Sequence, residues 1–337
     1  MLYRQKIVST PETAQFSDTP LWHRGQGIHP MKTTPNTAVL LTLLATFFWG
    51  SNFQATRFAL SGLPPWTASV ERFLIAVAGI FLIMAIKEGV RRDILSRNLL
   101  AFILLGVIGV AGFNGALFVG LQSASPITAS LIMATTPISA NIIEAILGKR
   151  MPGMDRIIGM AISLVGVSLV ITEGQILSGH LVFASGDLII LAGSICWAAY
   201  TVGTRAFVSG ATPLETTGWT MLFGTIALVI VAFICENPIQ AAIGGTGLSF
   251  AATLWMGTAG SVLAYLFWNV GIAVRGPGKT SIFFNFVPVF ALLIQLTMGI
   301  VPHAVQIIGI VITILGVFVG QGRFSGLLFK RSAVSRK

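Results

Sequence analysis

Ten stretches of roughly twenty mostly apolar residues run through the chain, each long enough to cross the ~30 Å hydrocarbon core of a bilayer as an α-helix. Cut at Pro, Gly and charge clusters, they cover about 38–60, 66–86, 98–121, 126–147, 154–172, 183–207, 213–234, 248–272, 277–299 and 303–321. The third and fourth are separated at Ser123–Pro126, because proline opens a helix well and ends one badly. No water-soluble fold hides so much apolar side chain. Residues of the AVILMFWYC set make up 54% and charged residues 9%, against roughly 25% charged in soluble domains. Bulk disorder needs the opposite composition. The segments do not alternate every second residue, which excludes barrel strands. The expected class is an all-α integral membrane bundle.

The charges then give a direction. Of 21 Lys and Arg, 19 fall at one set of segment ends. They lie in the N-terminal stretch (Arg4, Lys6, Arg24, Lys32), around Lys87–Arg97 and Lys149–Arg156, at Arg205, Arg275 and Lys279, and from Arg323 onward. Only Arg57 and Arg72 lie within segments near the opposite face. By the positive-inside rule both termini are expected to be cytoplasmic, in a multi-pass protein of the cell (inner) membrane. The net charge of +10 is therefore a topology signal and not a nucleic-acid footprint. Residues 1–36 are polar and lack the apolar run of a cleavable signal peptide, so a disordered cytoplasmic tail is expected, with Met31 an alternative start. A basic cytoplasmic tail is expected over 322–337.

Within the apolar region the chain repeats itself. An offset of 148 residues pairs Trp49 with Trp197, Thr56-Arg57 with Thr204-Arg205, Ser61-Gly62 with Ser209-Gly210, and Pro65 with Pro213. An offset of 151 places Gly106, Gly109, Gly120, Pro126, Pro137 and Gly148 on Gly257, Gly260, Gly271, Pro277, Pro288 and Gly299. An offset of 150 aligns Ile157-Ile158-Gly159 and Gly166 with Ile307-Ile308-Gly309 and Gly316. One register holding over about 130 residues is a repeat signal. Each copy, 38–172 and 183–321, holds five segments. Five is odd, so the second copy enters from the other side. Ten transmembrane helices as a 5+5 inverted-topology repeat is the plan of many secondary transporters, with the solute site near the midplane where the halves meet. Pro137 and Pro288, mid-segment in the fourth and ninth spans, are expected helix breaks, either lining a cavity or merely kinking the packing.

The run Trp49-Gly50-Ser51-Asn52-Phe53, with Arg72-Phe73 in the second segment, resembles the opening of an EamA domain of the drug/metabolite transporter superfamily. The stretch Gly120-Leu121-Gln122-Ser123-Ala124, then Pro137-Ile138 and Gly159 to Gly166, is similar to the rest of that domain. The second copy is similar through Tyr265-Leu266-Phe267-Trp268-Asn269, Arg275-Gly276, Pro288-Val289-Phe290-Ala291 and Gly309 to Gly316. The resemblance covers about 38–321 as two EamA repeats in tandem. It implies a carrier exporting small polar metabolites, such as amino acids or their analogues, by alternating access. One departure stands out: where the family often has Gly-Glu at the ends of the fourth and ninth spans, this chain has Gly148-Lys149 and Gly299-Ile300.

No segment holds a Ser/His/Asp cluster or paired catalytic carboxylates, and the Gly-rich stretches lack the context of a phosphate loop. An enzyme is not expected. Cys196 and Cys235, and the scattered His23, His29, His180 and His303, offer no metal or cofactor site. The candidates are polar residues at membrane depth. Trp49, Asn52, Asn114, Trp197, Tyr200, Tyr265 and Asn285 lie near the midplane, where amides and phenols bind polar solutes and aromatic faces hold ammonium groups. Packing, or an interhelical hydrogen bond, is the plainer role for each. Trp66 and Trp219 read as interfacial anchors, and Glu144, Asp187 and His303 as solvated end residues. Arg57 and Glu71 flank the Ser61–Pro65 connection at similar depth, so an ion pair is expected, as an outer gate or a structural clamp, with Arg72 turned away. Expected partners are a small-molecule substrate and lipid, in a monomer or homodimer without nucleic acid. Proton coupling stays open, with no deep carboxylate in clear support. An importer or exchanger of the same fold, or a non-transporting scaffold subunit, is the alternative.

Overall fold

The computed structural model describes residues 33–124, 126–179, 184–299 and 301–322. The two tails but for their innermost residues, Met31, His23, His29, His180 and Ile300 of the Gly299-Ile300 pair lie outside the described residues. Among the described residues there is helix and turn and no strand. The helices, in chain order, are α1 (Pro35–Ala59), α2 (Pro65–Lys87), α3 (Arg92–Leu105), α4 (Phe113–Gly120), α5 (Pro126–Ala134), α6 (Thr136–Gly148), α7 (Met154–Thr172), α8 (Ser185–Ala206), α9 (Pro213–Cys235), α10 (Pro238–Ile243), α11 (Gly247–Gly257), α12 (Ala264–Arg275), α13 (Pro277–Ser281), α14 (Phe286–Thr297) and α15 (Ala304–Gly320). Among the described residues nine continuous or nearly continuous helical stretches are long and apolar enough to cross a membrane; α15, with 17 residues, is shorter.

The distribution of side chains is the reverse of a soluble protein's. Ile86, Leu188, Ile234 and Leu100 stand exposed on the outside of the bundle, while Thr46, Ser194, Thr201, Thr217, Asn141 and Thr313 are buried within it. Hydrocarbon offers no hydrogen bond, so polar groups turn inward and find partners there. Most buried hydroxyls bond a carbonyl one turn back, as Thr217 does to Pro213 (2.7 Å) and Thr313 to Gly309 (2.8 Å).

Four of the longer stretches are interrupted. The third carries a π-helical segment at Gly106–Gly112 between α3 and α4, and the eighth carries another at Thr258–Leu263 between α11 and α12. These two occupy positions aligned by the 151-residue offset. The ninth changes to a 3-10 turn over Ile282–Asn285 just before Pro288. Between α5 and α6 the helix breaks at Thr135, two residues before Pro137. The Met133 carbonyl that Pro137 leaves without an N–H donor accepts from the Thr136 hydroxyl (2.6 Å), which also bonds Ser194 (2.7 Å).

The aligned positions make matching contacts. A Cβ on Gly106 would press on the Thr220 carbonyl and on Phe223; one on Gly257 would press on the Arg72 carbonyl and on Ile75. Gly109 lies against Tyr200 as Gly260 lies against Asn52. Each of these partners is offset by 148. Crossing α7 and α15, Gly159 meets Gly316 and Gly320 while Gly166 meets Gly309 and Thr313, backbone to backbone. Helix ends correspond too. Glu236, after α9, accepts from the Trp66 and Thr67 amides at the start of α2 (3.0 and 2.8 Å). Glu88, after α2, accepts from Thr212 at the start of α9 (2.6 Å). A carboxylate at a helix N-terminus satisfies orphan N–H groups and the helix dipole together.

Several end residues differ from expectation. Asp187 is buried, accepting from Thr128 (2.8 Å) and from the Ala184 amide (2.7 Å) as part of the α8 cap, so it is not solvated. Glu144 pairs with Arg156 (2.8 Å) and is half-buried. Trp219 is buried between Phe81 and Phe102 and is not an interfacial anchor. His303 is exposed, 3.6 Å from Glu173.

The α7–α15 crossing gives a direct test. Gly316→Val would drive its side chain into the backbone of Ser163 and is expected to cost about 3 kcal/mol or more, the upper range for overpacking. Gly153→Ala, at a position with nothing within 4 Å and φ −61, is expected to leave stability unchanged. Thermal unfolding of detergent-purified protein distinguishes the two.

Candidate functional site

Four of the seven midplane candidates meet at one point. Trp49 on α1 crosses Trp197 on α8 edge to face, with ring centres 5.3 Å apart. These two residues are related by the 148-residue offset, so the junction is one where the two copies present the same residue to each other. Tyr200 stacks on Trp197 (5.1 Å, 16° between planes), and Tyr265 stands edge-on to both Trp49 and Trp197 (5.8 and 5.2 Å). Trp268 and Phe284 complete the cluster, at 5.1 and 5.8 Å from Trp49. Each such ring pair adds about 0.5–1.5 kcal/mol beyond its buried area. The centre is dry, with Trp197, Tyr200, Tyr265 and Trp268 at 2% exposure or less.

The π-helical segments supply the polar rim. A π-turn leaves carbonyls out of the regular ladder. The Gly260 carbonyl accepts from the Trp49 indole (3.0 Å) and from Arg72 Nη2 (3.3 Å), and Arg72 Nε donates to Ser261 Oγ (2.8 Å). In the other π-segment the Val110 carbonyl accepts from Asn114 Nδ2 (2.6 Å). Asn114 also hydrogen-bonds Tyr265, its own counterpart at the 151-residue offset. Asn52 packs on Gly260. Asn269 donates to Tyr200 OH (2.9 Å) and to Thr217 (3.0 Å), and the Trp268 indole donates to Thr201 (3.3 Å). Three buried atoms around this centre make no hydrogen bond: Asn52 Oδ1, Trp197 Nε1 and Asn269 Oδ1. Leaving a buried polar atom unpaired costs about 1–3 kcal/mol; Ser69 Oγ, Trp219 Nε1 and Asn285 Oδ1 are unpaired as well, away from this centre.

Asn285 does not join this centre. It turns to α7 and donates to Ser163 (2.9 Å), because adjacent positions of a helical turn diverge and Phe284 takes the inward direction. The expected Arg57–Glu71 ion pair is not formed. Arg57 is exposed, and Glu71 accepts from Thr253 on α11 (3.0 Å). Similar depth brings two residues level; helix rotation decides whether they face. Arg72 diverges from Glu71, as expected of adjacent helical residues, and reaches the centre. Trp268, Asn269, Phe284 and Ser261 were not singled out by the sequence. Their one signal was the Tyr265–Asn269 run, which places Trp268 and Asn269 about one turn beyond Tyr265.

At the end of the bundle where the basic residues gather lies a cavity of about 180 Å³ lined by Glu144, Arg205, Arg275 and Gly276. Arg205 Nη1 donates to the last carbonyls of α12, Ile272 and Ala273 (2.7 Å each). Asn141 links Arg156 to the Gly278 carbonyl, tying α6 and α7 to the start of α13. Among the described residues no three His, Cys, Asp or Glu side chains gather as a metal site would require.

The two indoles predict opposite responses to Phe. Trp268→Phe breaks a hydrogen bond and is expected to cost about 1–2 kcal/mol. Trp197→Phe removes an unpaired N–H, offsetting the lost ring area, and is expected to stay within about 1 kcal/mol of the parent. Thermal unfolding of the two variants, side by side, reads the ordering.

Comparison with known proteins places this geometry. The profile of the EamA-like transporter family matches twice, over residues 36–172 and 184–319. The chain is 36% identical to the uncharacterized transporter YyaM of Bacillus subtilis (strain 168) over 284 residues, covering 84% of this chain and 93% of that protein. It is 26% identical to a probable terminal-alkyne amino-acid exporter of Streptantibioticus cattleyicolor, over 89% of this chain and 98% of that protein. A solved crystal structure shares the fold with a TM-score of 0.71 at 19% identity, over 84% of this chain and 97% of that one.

Proposed function

The chain belongs to the EamA-like transporter family, and from that premise we propose that it exports small polar metabolites of the amino-acid class by alternating access. Membership brings a small-molecule substrate and a lipid environment with it. The observation that carries the reading further is the aromatic centre, where Trp49 meets Trp197 and three buried polar atoms lack partners. Amino acids present what such a site uses: an ammonium for aromatic faces and carbonyl oxygens, and a carboxylate for N–H donors. The amino-acid exporter among the relatives favours the same class.

The proposed plan is ten spans in two five-helix repeats of opposite orientation, over 38–172 and 183–321, with α15 as the tenth. Two features support it: reciprocal glycine contacts between α7 and α15, and the matching end caps of α2 and α9. Paired contacts of residue i with j′ and j with i′ are what a two-fold relation between halves produces. The basic ends face the cytoplasm in this proposal, putting both termini there, in the cell membrane. Alternating access is then a rocking of one half on the other about the aromatic centre. The breaks near Pro137 and Pro288 are the hinges, and the Glu144–Arg156–Asn141 cluster closes the cytoplasmic end. The protein acts as a carrier and not as an enzyme, monomeric or homodimeric, and Glu71, adjacent to Arg72 in sequence, is the candidate carboxylate for any proton coupling.

Counterflow in proteoliposomes tests this. Preloading with an unlabelled substrate amino acid is expected to accelerate uptake of the labelled one, and Trp197→Ala is expected to lower that rate at least tenfold while the protein still purifies folded. A flat response across an amino-acid panel, with folded wild-type protein, would sink the amino-acid reading.

A further inference from the structure

Arg72 lies about 10 Å along α2 from Pro65, at ~1.5 Å per residue, away from the basic ends where the ion pairs Arg91–Glu215 and Arg156–Glu144 sit. Among the described residues no carboxylate pairs with it. Its contacts are neutral: Ser261 Oγ, the Gly260 carbonyl, and the face of Phe73 at 4.9 Å. Among the described residues none accepts from its third nitrogen, Nη1. A guanidinium held in a membrane span without a counter-charge is costly to keep, and residues of that kind mark solute pathways.

The other copy makes the corresponding helix crossing without this charge. Arg72 corresponds to Thr220 at the 148-residue offset, and Ser261 corresponds to Val110 at the 151-residue offset. Thr220 packs its backbone on Gly106 just as Arg72 packs its own on Gly257. One copy therefore makes this helix crossing, π-segment included, with a threonine and a valine. The corresponding junction of the other copy carries neither this charge nor its hydroxyl partner Ser261.

The surroundings say what the charge faces. The Gly260 carbonyl that Arg72 reaches is also the acceptor for the Trp49 indole, so the guanidinium borders the aromatic centre. Asn52, packed on the same glycine, carries an unpartnered Oδ1. A cation, an unsatisfied acceptor and aromatic faces around one π-turn form a dipolar receptor. We infer that Arg72 is the anchor for the carboxylate of the transported solute, with Asn52 Oδ1 and the Trp49 face receiving its ammonium group. This rests on the export reading above and narrows it to carboxylate-bearing solutes. A single guanidinium matches one carboxylate in charge, whereas a phosphate dianion would leave an unpaired charge in the span.

The experiment is competition against counterflow of a labelled amino acid in proteoliposomes. Four unlabelled competitors are used: the same amino acid, its deaminated acid, its primary amide, and the amine that lacks the carboxyl carbon. In wild-type protein the amide and the amine are expected to compete roughly 10- to 100-fold more weakly than the amino acid, the range for losing a charge-assisted hydrogen bond. In Arg72→Gln that discrimination is expected to collapse, with amide and amino acid competing alike, while Arg72→Lys keeps part of it. A purely structural role for Arg72 would lower the rate for every solute and leave the ratios intact. Equal competition by amide and amino acid in wild-type protein overturns the assignment, whether or not the variants fold. So does an unchanged ratio in folded Arg72→Gln. Wild-type counterflow of amines or other uncharged or cationic solutes alone, or of phosphate esters alone, would leave transport standing and remove the carboxylate anchor. Absence of counterflow for every solute would remove both.

Discussion

A polar group turned toward hydrocarbon finds no partner there, and this one constraint organises the molecule. It sets the outward faces as Ile, Leu and Val and draws Thr, Ser and Asn to the interior. Interior hydroxyls then spend themselves on nearby carbonyls, and breaks in the ladder are repaired locally, as Thr136 repairs the one at Pro137. A few buried atoms stay unpaired even so, Ser69 Oγ, Trp219 Nε1 and Asn285 Oδ1 among them. Asn52 Oδ1, Trp197 Nε1 and Asn269 Oδ1 gather around one aromatic centre, where an unpaired group is a standing cost that a bound solute can offset.

Symmetry-related positions sharpen this reading by showing what packing alone requires. Gly109 against Tyr200 and Gly260 against Asn52 are one contact made twice, yet a phenol fills one position and an amide the other. Asn114 and Tyr265 are counterparts that bond each other across the junction. Trp49 and Trp197 stay identical and meet edge to face. Backbone approach is thus shared between the copies while side-chain chemistry diverges at the centre. A scaffold would need only the shared part; a recognition site for an asymmetric small molecule needs the divergence.

Much of the architecture was legible because lipid writes it in long runs. Apolar segments, and Gly and Pro at fixed offsets, mark where helices cross and where backbones touch, and Gly159, Gly166, Gly309 and Gly316 do touch. The π-segments were not legible, since Gly106–Gly112 and Thr258–Leu263 read as ordinary apolar helix. Arg57 and Glu71 were placed level by counting residues, which says nothing of rotation; Glu71 faces Thr253 and Arg57 faces outward. Asp187 looked solvated because it stands near a helix end, but that end is covered and its carboxylate caps it. Asn269 escaped notice because its partners, Tyr200 and Thr217, lie 69 and 52 residues away in sequence.

The electrostatics of the centre bear on how a transport cycle would be driven. Among the described residues the Arg72 guanidinium borders the site and no carboxylate pairs with it, while the paired carboxylates Glu144 and Glu215 sit at the basic end. Glu71, the neighbour of Arg72 in sequence, is held by Thr253. With Arg72 assigned to a solute carboxylate, charge compensation comes from the cargo. The loaded centre then holds a neutralised pair, whereas the empty centre holds a bare cation beside a dry stack of rings. Moving an uncompensated charge through a low-dielectric constriction costs more than moving a compensated pair. The empty return is the harder half of such a cycle. A carrier with that asymmetry exchanges solute for solute more readily than it runs empty, and its selectivity and its preference for exchange reside in the same residue.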